Sequence, residues 1–401
     1  MTKAQHDGPA ILSLGLRPFF LVALVFGFVV VPLWWLVWQG KATLGGPFAP
    51  VDWHVHEMIF GYGAAVIAGF LFTAVPNWTG RMPKQGWPLF LLAATWLAGR
   101  LAVVGALPLS PVAVAVLDCA FLALVGVVFL IEVMAGRNWR NLKVVVPLGL
   151  LLAANGAYHG EVMSTGNAEV AGRLGLAVII FLITLIGGRI VPSFTRNWLA
   201  ARNAAHLPAS FSRLDATTLI AGVLALAFWA FYETGIAVAC LLAIAGVLNL
   251  ARLARWRGWS TWRSPLVLML HVAFAFVPLG MIAAAGGAAD IIAPAAGLHL
   301  LGIGAMGGMT LAVMIRATRG HTGRDLMAGP ALTLAFGLLV AAALVRAVIG
   351  HGDLAGVDGI TLATALWTAA YAIAAVRLVP WLIGQKAGRR VLKRSASSSS
   401  V

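Results

Sequence analysis

Long apolar runs alternate with short polar joints along this chain. An α-helix rises 1.5 Å per residue, so about 20 apolar residues cross a hydrocarbon core ~30 Å thick. Twelve runs approach that length, with limits near 18–38, 53–77, 86–106, 111–134, 142–163, 171–195, 214–232, 234–251, 264–285, 290–316, 328–349 and 359–384. The seventh and eighth are parted by little more than Glu233. The pattern predicts an all-α polytopic membrane protein whose twelve transmembrane helices occupy 17–385. A short tail (1–16) precedes them, and a basic, then Ser-rich tail (386–401) follows. Met1–Leu16 is mostly polar or small, unlike a cleavable signal sequence.

Composition agrees with that reading. Only 10% of the 401 residues are charged, against roughly 25% in a soluble domain. The formal net charge of +15 would suit nucleic acid if it were gathered on one surface. It is instead dealt out to alternate joints. Of the 28 Lys and Arg residues, 24 fall on the side that holds both termini and 4 (Lys41, Arg100, Arg173 and Arg346) on the other. The positive-inside rule then places both termini in the cytoplasm, in a bacterium at the inner membrane, with the lipid bilayer and not nucleic acid as the partner. The far side carries Asp52, Glu57, Glu161, Glu169, Glu233, Asp290, Asp353 and Asp358. Cys119 and Cys240 lie singly in apolar runs, so neither a disulfide framework nor a Cys-based metal site is expected. Many of the tryptophans, such as Trp34, Trp38, Trp78 and Trp198, sit near span ends as interfacial anchors.

The basic ends of spans two, six and ten look alike: Ala74-Val75-Pro76-Asn77-Trp78-Thr79-Gly80-Arg81, Ile190-Val191-Pro192-Ser193-Phe194-Thr195-Arg196, and Val313-Met314-Ile315-Arg316-Ala317-Thr318-Arg319. Spans one, five and nine begin near Pro18, Pro147 and Pro265. The offsets fit three four-helix repeats. The plainer reading is that Pro and Arg are common at helix ends.

Ionisable groups in membrane spans are costly and usually mark function. The stretch Trp53-His54-Val55-His56-Glu57-Met58 opens the second span on the acidic side. Residues i and i+2 of a helix point about 200° apart, so a regular helix cannot give His54 and His56 to one metal. His54 and Glu57 do share a face, so Glu57 is expected to orient His54, with Asp52 as N-cap and His159 completing one of two sites. His299 is expected roughly 13 Å deep from the acidic side and His271 roughly 10 Å from the basic side, close to one level. Gly302, Gly304, Gly307 and Gly308 leave a shallow face beside His299, suited either to a flat cofactor or to close helix packing. Met306, Met309 and Met314 read as core filling. His6, His206 and His351 read as loop histidines, and His321 stands in a basic turn. Imidazole without thiolate suits copper, iron or zinc, and histidine often holds haem iron. The cofactor candidates are therefore His271, His299, His54 and His56. The metal candidates are His54, His56, His159, Glu57 and His321. Glu57, Asp118 and Glu132 are the few buried carboxylates available to carry protons.

Arg17-Pro18-Phe19-Phe20, Trp53-His54-Val55-His56-Glu57-Met58-Ile59-Phe60-Gly61, Ala74-Val75-Pro76-Asn77-Trp78-Thr79-Gly80-Arg81, Gly187-Gly188-Arg189-Ile190-Val191-Pro192-Ser193-Phe194-Thr195, Gly304-Ala305-Met306-Gly307-Gly308-Met309-Thr310 and Arg316-Ala317-Thr318-Arg319-Gly320-His321-Thr322-Gly323 occur in one order. Together they resemble the NnrS family over nearly the whole chain. The resemblance implies an inner-membrane protein with haem b and copper, linked to nitric oxide and nitrosative stress. It names neither an electron donor nor the ligands. A protein that binds or turns over nitric oxide, as a haem/copper oxidoreductase or in a protective role, is the first expectation. The alternatives are a transporter of a metal, haem or small metabolite that uses the histidines as a substrate site, and a membrane sensor or assembly factor.

Overall fold

The computed structural model describes residues 8–387. His6, Lys3 and the basic and Ser-rich residues beyond 387 lie outside the described residues. Twelve helices follow one another: α1 (Leu16–Trp38), α2 (Pro50–Thr79), α3 (Trp87–Val103), α4 (Pro111–Ala135), α5 (Val145–Thr165), α6 (Glu169–Ala200), α7 (Arg213–Phe231), α8 (Ile236–Ala254), α9 (Pro265–Ala288), α10 (Pro294–His321), α11 (Gly329–Val348) and α12 (Gly359–Ile383). Each matches one expected span. Eleven are long and apolar enough to cross a membrane, and α3 is shorter, at 17 residues. Between α11 and α12, β1 (Asp353–Leu354) and β2 (Val357–Asp358) form a small antiparallel hairpin.

Helix starts follow local chemistry. Pro50, Pro111, Pro265 and Pro294 stand in the first turn, where a missing N–H costs nothing. Ser212 and Asp215 form a reciprocal capping box at α7. Glu233 separates α7 from α8 and reaches Arg173 at 2.9 Å. Asp52 is not the N-cap of α2, as expected. Ala49 takes that place, because Pro50 starts the helix three residues earlier than that cap would. The Asp52 carboxylate instead accepts from the backbone N–H of Ala168 at 3.2 Å and ties α2 to the start of α6.

Chain neighbours pack against one another around the bundle, and α12 closes on α1. Three helices, α2, α6 and α10, meet in the middle. Each of them holds a wide π-helical segment: Glu57–Gly63, Ile183–Gly187 and Leu300–Gly307. Lipid tails are as apolar as leucine, so close backbone approach and satisfied polar groups hold such a bundle more than hydrophobic burial does. Along the α9–α10 seam Gly308 abuts Ala273, Gly304 abuts Phe276, and Gly297 abuts Ala284. Gly307 abuts Trp367 of α12. Three of the four glycines beside His299 therefore serve helix packing, while Gly302 faces open space.

Candidate metal centre

Helix α2 is α-helical through His56 and changes to the π form at Glu57. The two histidines two residues apart accordingly face different partners. His56 points at α4 and α5; His54 lies on the Trp34 ring of α1, with 4.4 Å between ring centroids. The wide turn that starts at Glu57 lessens the angle between neighbouring side chains. Glu57 thereby meets the ring next to it, which a regular helix disfavours. Its Oε1 stands 3.0 Å from His56 Nδ1. The expected pairing of Glu57 with His54 is thus replaced by one with His56.

His56 is the centre of a buried network. Its Nε2 lies 3.0 Å from Asn155 Oδ1 and 3.2 Å from Asp118 Oδ2. The Asn155 amide donates to Asp118 Oδ2 at 2.8 Å, and His159 Nε2 stands 3.0 Å from the same oxygen. Arg100 of α3 donates to Glu57 at 2.7 Å and also to Asp118 Oδ1. All six groups are buried, His56 completely. Phe48, Phe60 and Tyr158 wall the imidazoles off. Four helices, α2 to α5, thus deliver two imidazoles, two carboxylates, one amide and one guanidinium to a single dry point.

The charges say what the point can hold. Glu57 and Asp118 bring two negative charges and Arg100 one positive. One further positive charge balances the cluster. Both ring nitrogens of His56 face oxygen acceptors, whereas a neutral imidazole donates through only one. A proton on His56, or a cation in its place, meets both demands. The donor atoms of His56, Asp118 and His159 all lie within 4.8 Å of one another. Donors bound to one ion at about 2.0–2.2 Å stand roughly 3.0–3.6 Å apart, which matches the 3.2 and 3.0 Å separations from Asp118. Two imidazoles and one carboxylate suit Fe(II), Zn(II) or Cu(II). Among the described residues this is the one group of three such donors.

The other candidates sit elsewhere. His299 Nδ1 donates to Ala295 O at 2.7 Å, which leaves Nε2 as a lone pair. His299 and Arg346 lie within electrostatic reach of His54, whose own buried Nδ1 has no hydrogen bond. His271 Nε2 donates to Thr195 Oγ1 at 2.7 Å, since that hydroxyl gives its proton to Val191 O. This is an interhelical bond between α6 and α9. The α9–α10 seam sets His271 level with about residue 310, roughly 16 Å along the axis from His299. The two therefore do not share one level. His321 ends α10 beside the end of α2 near Asn77, roughly 30 Å along α2 from His56, so it cannot share an ion with the His56 cluster. Glu132 bridges Arg81 and Lys84, both at 2.7 Å, and fastens the α2–α3 joint to the end of α4.

From the sequence Asp118 is expected only as a proton carrier and Arg100 only as one of four cations on the acidic side, and nothing singles out Asn155. All three are polar groups within apolar runs, which was the available signal. The family model described as "NnrS: NnrS protein" matches residues 10–386. The chain belongs to the NnrS family. Every residue of the cluster lies inside that match, so the candidate metal site is built from NnrS-matched helices. Among curated proteins, none matches this NnrS chain.

Proposed function

We propose that this NnrS-family protein holds a transition-metal ion at His56, Asp118 and His159, holds haem b beside His54 and His299, and binds or turns over nitric oxide. The metal reading is carried by one observation: the donor atoms of His56, Asp118 and His159 converge within 4.8 Å of one another in a buried site. Family membership supports the haem and nitric oxide parts. Three features around His299 favour haem there. Its Nε2 is an unprotonated donor, Gly302 one turn on leaves open space, and Arg346 supplies a cation for a propionate. When bound, such metals supply coordination positions that an uncharged diatomic can occupy.

The protein's own groups do the rest. Phe48, Phe60 and Tyr158 keep water from the imidazoles. Glu57 holds a proton at His56 Nδ1, which leaves Nε2 free as a ligand, in the manner of outer-shell carboxylates that orient metal-bound histidines. Arg100 fixes Glu57 and Asp118 together and compensates one of their charges.

Metal analysis and a visible spectrum of the purified protein test the reading. The wild type is expected to carry tightly held transition metal, and His56→Ala or His159→Ala to lose it at least about tenfold. His299→Ala is expected to remove a Soret band that His271→Ala leaves in place. Unchanged metal content in both cluster variants would exclude the cluster, and a protein without a Soret band after haem-replete expression would exclude haem. A spectrum that shifts when nitric oxide is added to the reduced protein supports ligand binding. A metal that exchanges freely with the medium favours the transport alternative.

A further inference from the structure

The similar ends of α2, α6 and α10 have no part in the metal centre, yet they converge on one cavity. It has a volume of about 500 Å³ and lies at the basic end of the bundle. Asn77 and Trp78 come from α2, Arg189 and Phe194 from α6, and Arg316 and His321 from α10. Its deeper wall is apolar and continues, through Phe70, Ile186, Ile190 and Val313, into a second apolar hollow between the same three helices. That hollow reaches Gly63 and Met306, at the π segments in the middle of the bundle.

The charges in this cavity are one-sided. Among the described residues no carboxylate lines it. Of the carboxylates near the basic end, Glu132 pairs with Arg81 and Lys84 and Asp215 with Arg252 and Arg255, while Asp325, in the α10–α11 joint, stands within electrostatic reach of Arg319 and does not line the cavity. Arg316 lies over the Phe194 ring, 3.9 Å from its centroid, which fixes the guanidinium at the cavity edge. Two arginines at the mouth of an apolar slot present a binding surface for an anion with an apolar body. An inorganic anion leaves the slot unfilled, and an uncharged lipid leaves the guanidiniums uncompensated.

We infer that this cavity is a binding site for an amphipathic anion: a phosphate or carboxylate head held by Arg189 and Arg316, with its apolar stem lying along Phe70, Ile186 and Val313. The site stands apart from the metal centre, and its occupant is independent of what the metal does.

Native mass spectrometry of the full-length protein tests this with three probes of matched chain length: phosphatidylglycerol, a free fatty acid and phosphatidylcholine. One molecule of an anionic probe is expected to stay bound where phosphatidylcholine is lost. Whichever of phosphatidylglycerol and fatty acid is held tighter identifies the head, and retention of either supports the site. Arg189→Gln with Arg316→Gln is expected to lower retention at least about tenfold, and Arg189→Lys with Arg316→Lys to keep most of it. Ala74→Trp, which fills the slot without altering charge, is expected to abolish it. An unaltered elution profile and thermal midpoint show that each variant is folded. Equal retention of phosphatidylcholine, or full retention by the Gln pair, overturns the proposal.

Discussion

At the scale of single residues, Asp118 is the hub. One of its oxygens meets Asn155, His56 and His159, and the other meets Arg100. Asp118→Asn keeps the shape but removes one negative charge and puts an amide where donors already point. It is expected to lower metal content at least about tenfold, read by elemental analysis, with little change in elution volume. Arg100 makes the complementary case. Removing one partner of a buried charge network costs about 3–5 kcal/mol, because the other charges remain uncompensated. Arg100→Met should therefore lower the thermal midpoint clearly. Adding Glu57→Gln to it should return part of the loss, since one orphaned charge goes with it. If the double variant is less stable by the full sum of the singles, the two groups are not coupled. The sequence made His56, Glu57 and His159 visible as unusual residues for a membrane span. It left Arg100 and Asn155 unassigned, because a lone cation or amide in an apolar run says nothing about which other helices face it. Glu57 was paired with the wrong histidine for a local reason: regular helical spacing was assumed across a stretch that opens into a π turn.

At the scale of elements, the π segments link sequence to site. A π turn leaves backbone carbonyls without their usual partners, and in a membrane each must find another donor. In α2 the Trp96 indole donates to Gly61 O at 2.9 Å. In α6 Arg252 donates to Thr184 O at 3.0 Å, and in α10 the Thr310 hydroxyl donates to Met306 O at 2.7 Å. Trp96→Phe keeps most of the packing and strands one carbonyl. The expected loss is about 1–3 kcal/mol, measured as a lower thermal midpoint. Deleting Ile59 is a sharper test. Without the extra residue α2 continues as a regular helix, and His56 turns by about 100° relative to the inner half. Metal is expected to be lost from a protein that still folds, whereas retained metal would show that the π turn has no part in placing the ligands. The twelve spans were legible because hydropathy and length constrain them strongly; the π segments were not, because a one-residue change of helical pitch leaves no mark in an apolar run. The threefold repeat stays an expectation from the sequence. What the structure adds is that the three helices with similar ends are also the three that meet at the middle.

At the scale of the whole molecule, the chain is polar from end to end in its charge. The candidate metal centre lies toward the acidic end: His56 is six residues beyond the first residue of α2, or roughly 9 Å along the axis. The anion cavity lies at the basic end, where α2, α6 and α10 finish. If all twelve helices cross, the start of α1 and the end of α12 share one side, and the Lys/Arg bias argues that this side is the cytoplasm. Two consequences can be checked together. A fluorescent protein fused after Val401 should fluoresce, while one inserted in the loop at His351 should stay dark; a secreted phosphatase should give the opposite pattern. If so, the His56 cluster is nearer the periplasm. A membrane-impermeant chelator should then strip its metal from spheroplasts sooner than from inverted vesicles. The same treatment should leave Asp118→Asn unaffected, since that variant has little metal to lose. Faster stripping from inverted vesicles would place the acidic end in the cytoplasm, and with it the route by which metal reaches the site.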